Sequence, residues 1–340
     1  MHSRYRLLAV TLSTVVCLSG CSKSSPLAPR RNGAAAFGDA QARAAFAASR
    51  GWASFYPLDL GNSWSYEGGG MLRVVSAGRP PYPDYSYAFT ESHRLIGTTH
   101  HEGTAYVVEE QVHHQVPESP YGPATWWDRL RQDRKGLYSL DTLLQSPPPL
   151  DGNQIGVARA GASGNSHPYR IDVAAWRGAR ASDASLERFA NRVETMREAV
   201  RGVIRGDRGR SPPTGLELRR LVYPLRPGTS WSIRPDFPWP ARVNRFEILE
   251  TPAGRFPAFR IEINPFGTLI HEGEWVRVWY SRKGYLGYSI HTIFEGTNPD
   301  GSPSGITYVA DEGMKVASVQ IVRKAKRGEL DSASLGAGSN

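Results

Sequence analysis

Two histidine pairs, His100-His101 and His113-His114, flank the acidic pair Glu109-Glu110. Imidazole nitrogen and carboxylate oxygen together suit Zn²⁺, and on a hairpin the alternate residues of two strands converge on one face. Adjacent strand residues point to opposite faces, so each histidine pair supplies one ligand at most. The candidate metal set is then His101, Glu109 and His113. Polar residues beside a surface turn explain the same cluster. Asn298-Pro299-Asp300-Gly301-Ser302 starts like a calcium loop but lacks the later glutamate, and reads as a turn. The chain carries no G-x-S-x-G elbow, no H-E-x-x-H and no P-loop. No catalytic residue and no cofactor site is assigned on this basis, and a non-enzyme is the expectation.

The elements that would position these residues are mostly strands. Trp64 and Tyr66 share one face with Ser63 and Ser65 on the other, while Tyr106, Val108 and Val112 alternate with Glu109, Gln111 and His113. A second strand-rich region runs from about Leu218 to Val322. Between them, residues 143–216 begin as irregular loop and end in a helix. Behind a Ser182-Asp183 cap, the stripe from Leu186 through Phe189, Val193, Met196 and Val200 to Ile204 keeps helical spacing, with Arg192 and Arg197 off it. Such a stripe is expected to pack in a core. The fold class is mainly β (α+β), built from antiparallel sheet.

One phrase occurs twice. Phe55–Glu67 reads FYPLDLGNSWSYE and Val222–Arg234 reads VYPLRPGTSWSIR, so that Gly61 meets Gly228 and Trp64 meets Trp231. Further on, Trp127–Gly136 (WDRLRQDRKG) matches Trp275–Gly284 (WVRVWYSRKG). Asp133 to Gly136 and Ser281 to Gly284 have the composition of type I turns and are expected to close hairpins. The shared order of landmarks predicts two related antiparallel β-modules, with Trp64 and Trp231 at equivalent inward positions and the loop and helix inserted between them.

The N-terminus carries an address. Arg4 and Arg6 precede an apolar run from Leu7 to Leu18, too short to span a bilayer, which is a signal-peptide pattern. It ends in Leu18-Ser19-Gly20-Cys21, which resembles the lipobox of bacterial lipoproteins. That resemblance implies cleavage before Cys21 and acylation of its thiol with palmitate-type chains. Cys17 leaves with the leader, so Cys21 is the one cysteine of the mature chain and pairs with no other. Ser22 after the cysteine favours the outer membrane by the same resemblance. The segments YPLDLGNSWSY, TPAGRFPAFRIE and WYSRKGYLGY also resemble a group of uncharacterised exported lipoproteins, which implies location and fold style and no activity.

The expected organisation is a signal peptide over 1–20, a flexible tether over 21–38, a first β-module with an N-terminal helix over 39–142, the insert over 143–216, a second module over 217–322 and a basic, disordered tail over 323–340. A formal charge of +9, or +7 once Arg4 and Arg6 are gone, is scattered and reads as solvated surface. With an exported address, no nucleic-acid partner is expected. The remaining expectation is a lipid-anchored envelope protein that binds a partner or ligand without catalysis. A lipid or lipoprotein carrier with an apolar cavity, or a hydrolase with dispersed residues, are the alternatives.

Overall fold

A computed structural model describes residues 55–322, apart from 77, 79–82, 117–123, 141–143, 145, 152–183, 202–214, 237–238 and 267–272. The leader, Cys21, the tether, the Ser182-Asp183 cap, Ile204 and the tail lie outside the described residues.

The first six strands are β1 (Ser63–Ser76), β2 (Tyr85–His101), β3 (Thr104–Val116), β4 (Ala124–Gln132), β5 (Gly136–Leu140) and β6 (Glu217–Val222). The second six are β7 (Ser230–Ser232), β8 (Pro240–Thr251), β9 (Gly254–Ile263), β10 (Trp275–Ser281), β11 (Gly284–Thr297) and β12 (Pro303–Gln320). All pair antiparallel in one twelve-stranded sheet, each with its sequence neighbours except β6 with β7, and β12 closes onto β1. The two strand-rich regions therefore share a single sheet. The ring is open only between β6 and β7. There a bond from the Arg219 amide to the Ile233 carbonyl (2.9 Å) and one from Trp231 Nε1 to the Arg219 carbonyl (3.0 Å) bridge the gap. Trp64 is buried, but Trp231 is only half-buried, a correction to their expected equivalence. The reason is position: β7 is three residues long, pairs with β8 alone and stands at the seam.

Turn chemistry follows the residues. Asp133 Oδ1 accepts from the amides of Lys135 and Gly136, and Ser281 Oγ accepts from the amide of Lys283, so both expected hairpins form, β4–β5 and β10–β11. Asp300 Oδ1 accepts from the Ser302 amide in the turn between β11 and β12. In β1 the run Gly68-Gly69-Gly70 lies beneath aromatic rings. A Cβ on Gly70 would sit 2.3 Å from the Tyr87 hydroxyl and one on Gly68 2.5 Å from the Phe89 ring, so glycine is what lets these rings lie on the strand.

The repeated phrase makes the same backbone turn twice. Gly61 and Gly228 have φ of 86° and 90°, a conformation that side chains disfavour. The Gly61 amide donates to the Leu95 carbonyl and the Leu95 amide to the Asn62 carbonyl; the Gly228 amide donates to Val243 and the Val243 amide to Thr229. Each second strand then carries a bulge just after that contact, between Leu95 and Gly97 in β2 and between Val243 and Arg245 in β8.

Helix α1 (Ala184–Arg201) lies along the inner face of β11. Ser185 meets Thr297, Arg192 meets Thr292, and Arg197 comes to Tyr87 and Glu312. Leu186, Phe189, Val193 and Met196 are completely buried, as their spacing predicts, and full burial of a side chain like Phe189 contributes roughly 1.5–3 kcal/mol. Arg197 departs from expectation. Although off the apolar stripe, it is buried and forms an ion pair with Glu312, which also accepts from the hydroxyls of Tyr87 and Tyr288. No helix among the described residues is long and apolar enough to cross a membrane.

Candidate functional site

The inner faces of β2, β3 and β4 turn polar part-way along. On β2 the inward residues run Tyr87, Phe89, Glu91, His93 and Leu95, and on β3 they include Glu109, Gln111 and His113. Asp128 of β4 stands directly opposite Glu109. Period two puts these side chains inward, and the solvent side of β2 carries Ser86, Ala88, Thr90 and Ser92. Arg220 arrives by another route. The register of β5 with β6 slips between Leu137 and Tyr138, so Arg220 is the unpaired residue of a bulge, a device that re-aims a side chain. Its Nη2 donates to Asp128 Oδ2 at 2.7 Å and its Nε to Ser139 Oγ at 2.8 Å.

These groups line a cleft on the inner side of the barrel, with Tyr56, Tyr280, Tyr285 and Tyr288 as its aromatic walls. Tyr56 stacks on Trp64 at 4.9 Å between ring centroids, and Trp64 is itself fixed by Nε1 donating to the Lys283 carbonyl at 2.6 Å. The first copy of the repeated phrase thus supports one wall.

Proton positions follow from neighbours. His93 Nε2 is 2.7 Å from Glu91 Oε1, and its Nδ1 is 3.3 Å from Glu109 Oε1. Burial opposes the imidazolium, but Glu109 and Glu91 outweigh it and lift the His93 pKa to about 9. Glu109 also accepts from the Tyr56 hydroxyl and from Gln111 Nε2 (2.5 Å); against its burial, His93 and these donors hold its pKa below the ordinary carboxylate value. Asp128 behaves oppositely: burial, reinforced by the charge of Glu109 and only partly offset by Arg220, raises its pKa to about 6. Tyr280 is pushed up to about 12, mainly by burial. The cleft therefore offers an imidazolium, a guanidinium, carboxylates and neutral phenols, which both donate and accept hydrogen bonds.

Of the sequence candidates, Glu109 and His113 enter this region, where His113 Nδ1 lies 3.3 Å from Glu91 Oε2. His101 does not. It is half-buried at the end of β2, while His100 is exposed and pairs with Asp151 at 2.7 Å, and His114 is exposed. Among the described residues, no group of three or more His, Cys, Asp or Glu is arranged to hold a metal ion. Glu91, His93, Asp128 and Arg220 were missed. On strands with alternating polarity they read as the wet face, and only the choice of which face is concave tells otherwise.

No family model and no curated protein matches the chain. Two similar solved structures are a Bacteroides fragilis protein assigned as exported with a YmcC-like fold, and a Parabacteroides distasonis protein assigned as a lipoprotein. The first is 11% identical with a TM-score of 0.29, covering 79% of this chain and 100% of its own. The second is 9% identical with a TM-score of 0.26, covering 80% and 100%. Scores this low assign neither ligand nor activity.

Proposed function

We propose that the protein is a lipid-anchored protein of the bacterial envelope, held at the outer membrane through Cys21, whose barrel cleft binds a small polar ligand without catalysis. The observation that carries the binding reading is the burial of Glu91, His93, Glu109 and Asp128 beside open space, since buried ionic groups contribute little net stability and an apolar lining would serve folding as well. A lipid carrier would need a long apolar lumen, and the inner face of β11 is instead covered by α1.

The test is purification from membranes followed by native mass spectrometry, with parallel labelling of cells by an alkyne fatty acid. A bound small polar molecule and a label absent from Cys21→Ala are expected. A bound phospholipid in place of the polar molecule would support the carrier, and equal labelling of both forms would overturn the anchor.

A further inference from the structure

Each half of the barrel is a control for the other. From the matched turns and bulges, Leu95 of β2 falls on Val243 of β8, and through the cross-strand pairs Glu109 falls on Ile261. The outer-face pair Arg94 and Glu110 then falls on Arg242 and Glu262, opposite each other in the same way. The inner face does not repeat. Glu91, His93, Glu109 and Gln111 fall on Trp239, Ala241, Ile261 and Ile263, all buried and apolar. Asp128, opposite Glu109, falls on Val278, opposite Ile261. Hydrocarbon therefore suffices at these stations of the fold, and the charged set in the first half answers another demand.

We infer that the barrel is one six-strand module present twice, that the inner face of the first copy alone has become a binding site, and that its ligand is a small neutral polyhydroxylated molecule, a polyol or a single sugar unit. This rests on the binding reading above. Charge excludes the simpler ligands: a free anion would meet Glu91, Glu109 and Asp128, and a free cation would meet His93 and Arg220. A hydroxyl serves both, donating to a carboxylate and accepting from a cation. His93 Nδ1 is buried on the cleft and has no aligned acceptor, its 3.3 Å approach to Glu109 being an ion pair without hydrogen-bond geometry. The tyrosine rings supply flat faces for C–H surfaces of the ligand.

The experiment is calorimetric titration of the full-length protein in detergent with glucose, galactose, glycerol and inositol, against methylammonium and acetate. Three proteins are compared: wild type, Glu109→Gln, and a graft of the second half's lining, Glu91→Trp with His93→Ala, Glu109→Ile and Gln111→Ile. At least one neutral probe is expected to bind wild type at millimolar concentration and to lose tenfold or more in both variants, while the graft melts no lower than wild type. Binding by methylammonium or acetate alone overturns the ligand class and leaves the binding reading standing. A graft that unfolds, whatever wild type binds, overturns the claim that the second half shows what folding needs. No heat from any probe, together with an unfolded graft, overturns the binding reading too, because the polar set is then structural.

Discussion

His93 is held between Glu91 and Glu109, and this makes stability depend on pH with a definite sign. Its folded pKa of about 9 lies above the ordinary 6.5, so the folded state keeps a proton that the unfolded chain releases. The stabilisation is complete below pH 6.5 and is lost as pH rises through 9, and it amounts to about 3 kcal/mol. Asp128 acts in the same direction lower down, its contribution disappearing as pH rises from 3.8 through about 6. Glu109 opposes both, since its lowered pKa adds stability that is lost on acidification. Urea unfolding of wild type should therefore show a falling midpoint between pH 6.5 and 9, and His93→Gln should be flat there; equal slopes would place the imidazolium elsewhere. Little of this was legible in the sequence. Glu91 and His93 are two polar residues in a stretch of alternating polarity, and their neighbours across the sheet come from segments that sequence alone does not bring together.

Helix α1 shows what element-scale pattern can and cannot reveal. The spacing of Leu186, Phe189, Val193 and Met196 announced a buried face, and the Asp133 and Ser281 turns announced two hairpins, because helical periodicity and turn chemistry are local. Arg197 lies off the apolar stripe, and its burial was not legible there, since a guanidinium is buried only when a distant carboxylate, here Glu312 of β12, pairs with it. Replacing Arg197 with Met should cost about 3–5 kcal/mol by leaving Glu312 buried without its cation. Adding Glu312→Leu should recover most of that loss, because the uncompensated charge is then gone. Chemical denaturation of the two variants measures the difference; a double variant as weak as the single would mean that the pair also sets the helix position.

At the scale of the molecule, strand order follows sequence order around the whole ring, and the weakest joint is the seam between β6 and β7. Amides of those two strands should exchange with deuterium at least tenfold faster than those of β1 and β12, whose pairing runs from Ser63 opposite Gln320 to Ser76 opposite Ile306. Equal protection would mean that more than the two described bonds close the joint. Alternation revealed strands, but neither their number in one sheet nor the closure of β12 on β1, which joins residues more than 200 positions apart. That closure also brings the ends of the described chain together, with the Val322 amide donating to Asn62 Oδ1 at 2.7 Å. The covalent start of the barrel therefore lies in the middle of its best-paired wall, and the break in its wall lies in the middle of the chain. A circular permutant that joins residue 322 to residue 55 and opens the chain between β6 and β7 would make the two coincide, exchanging the order of the halves while keeping every described strand pairing.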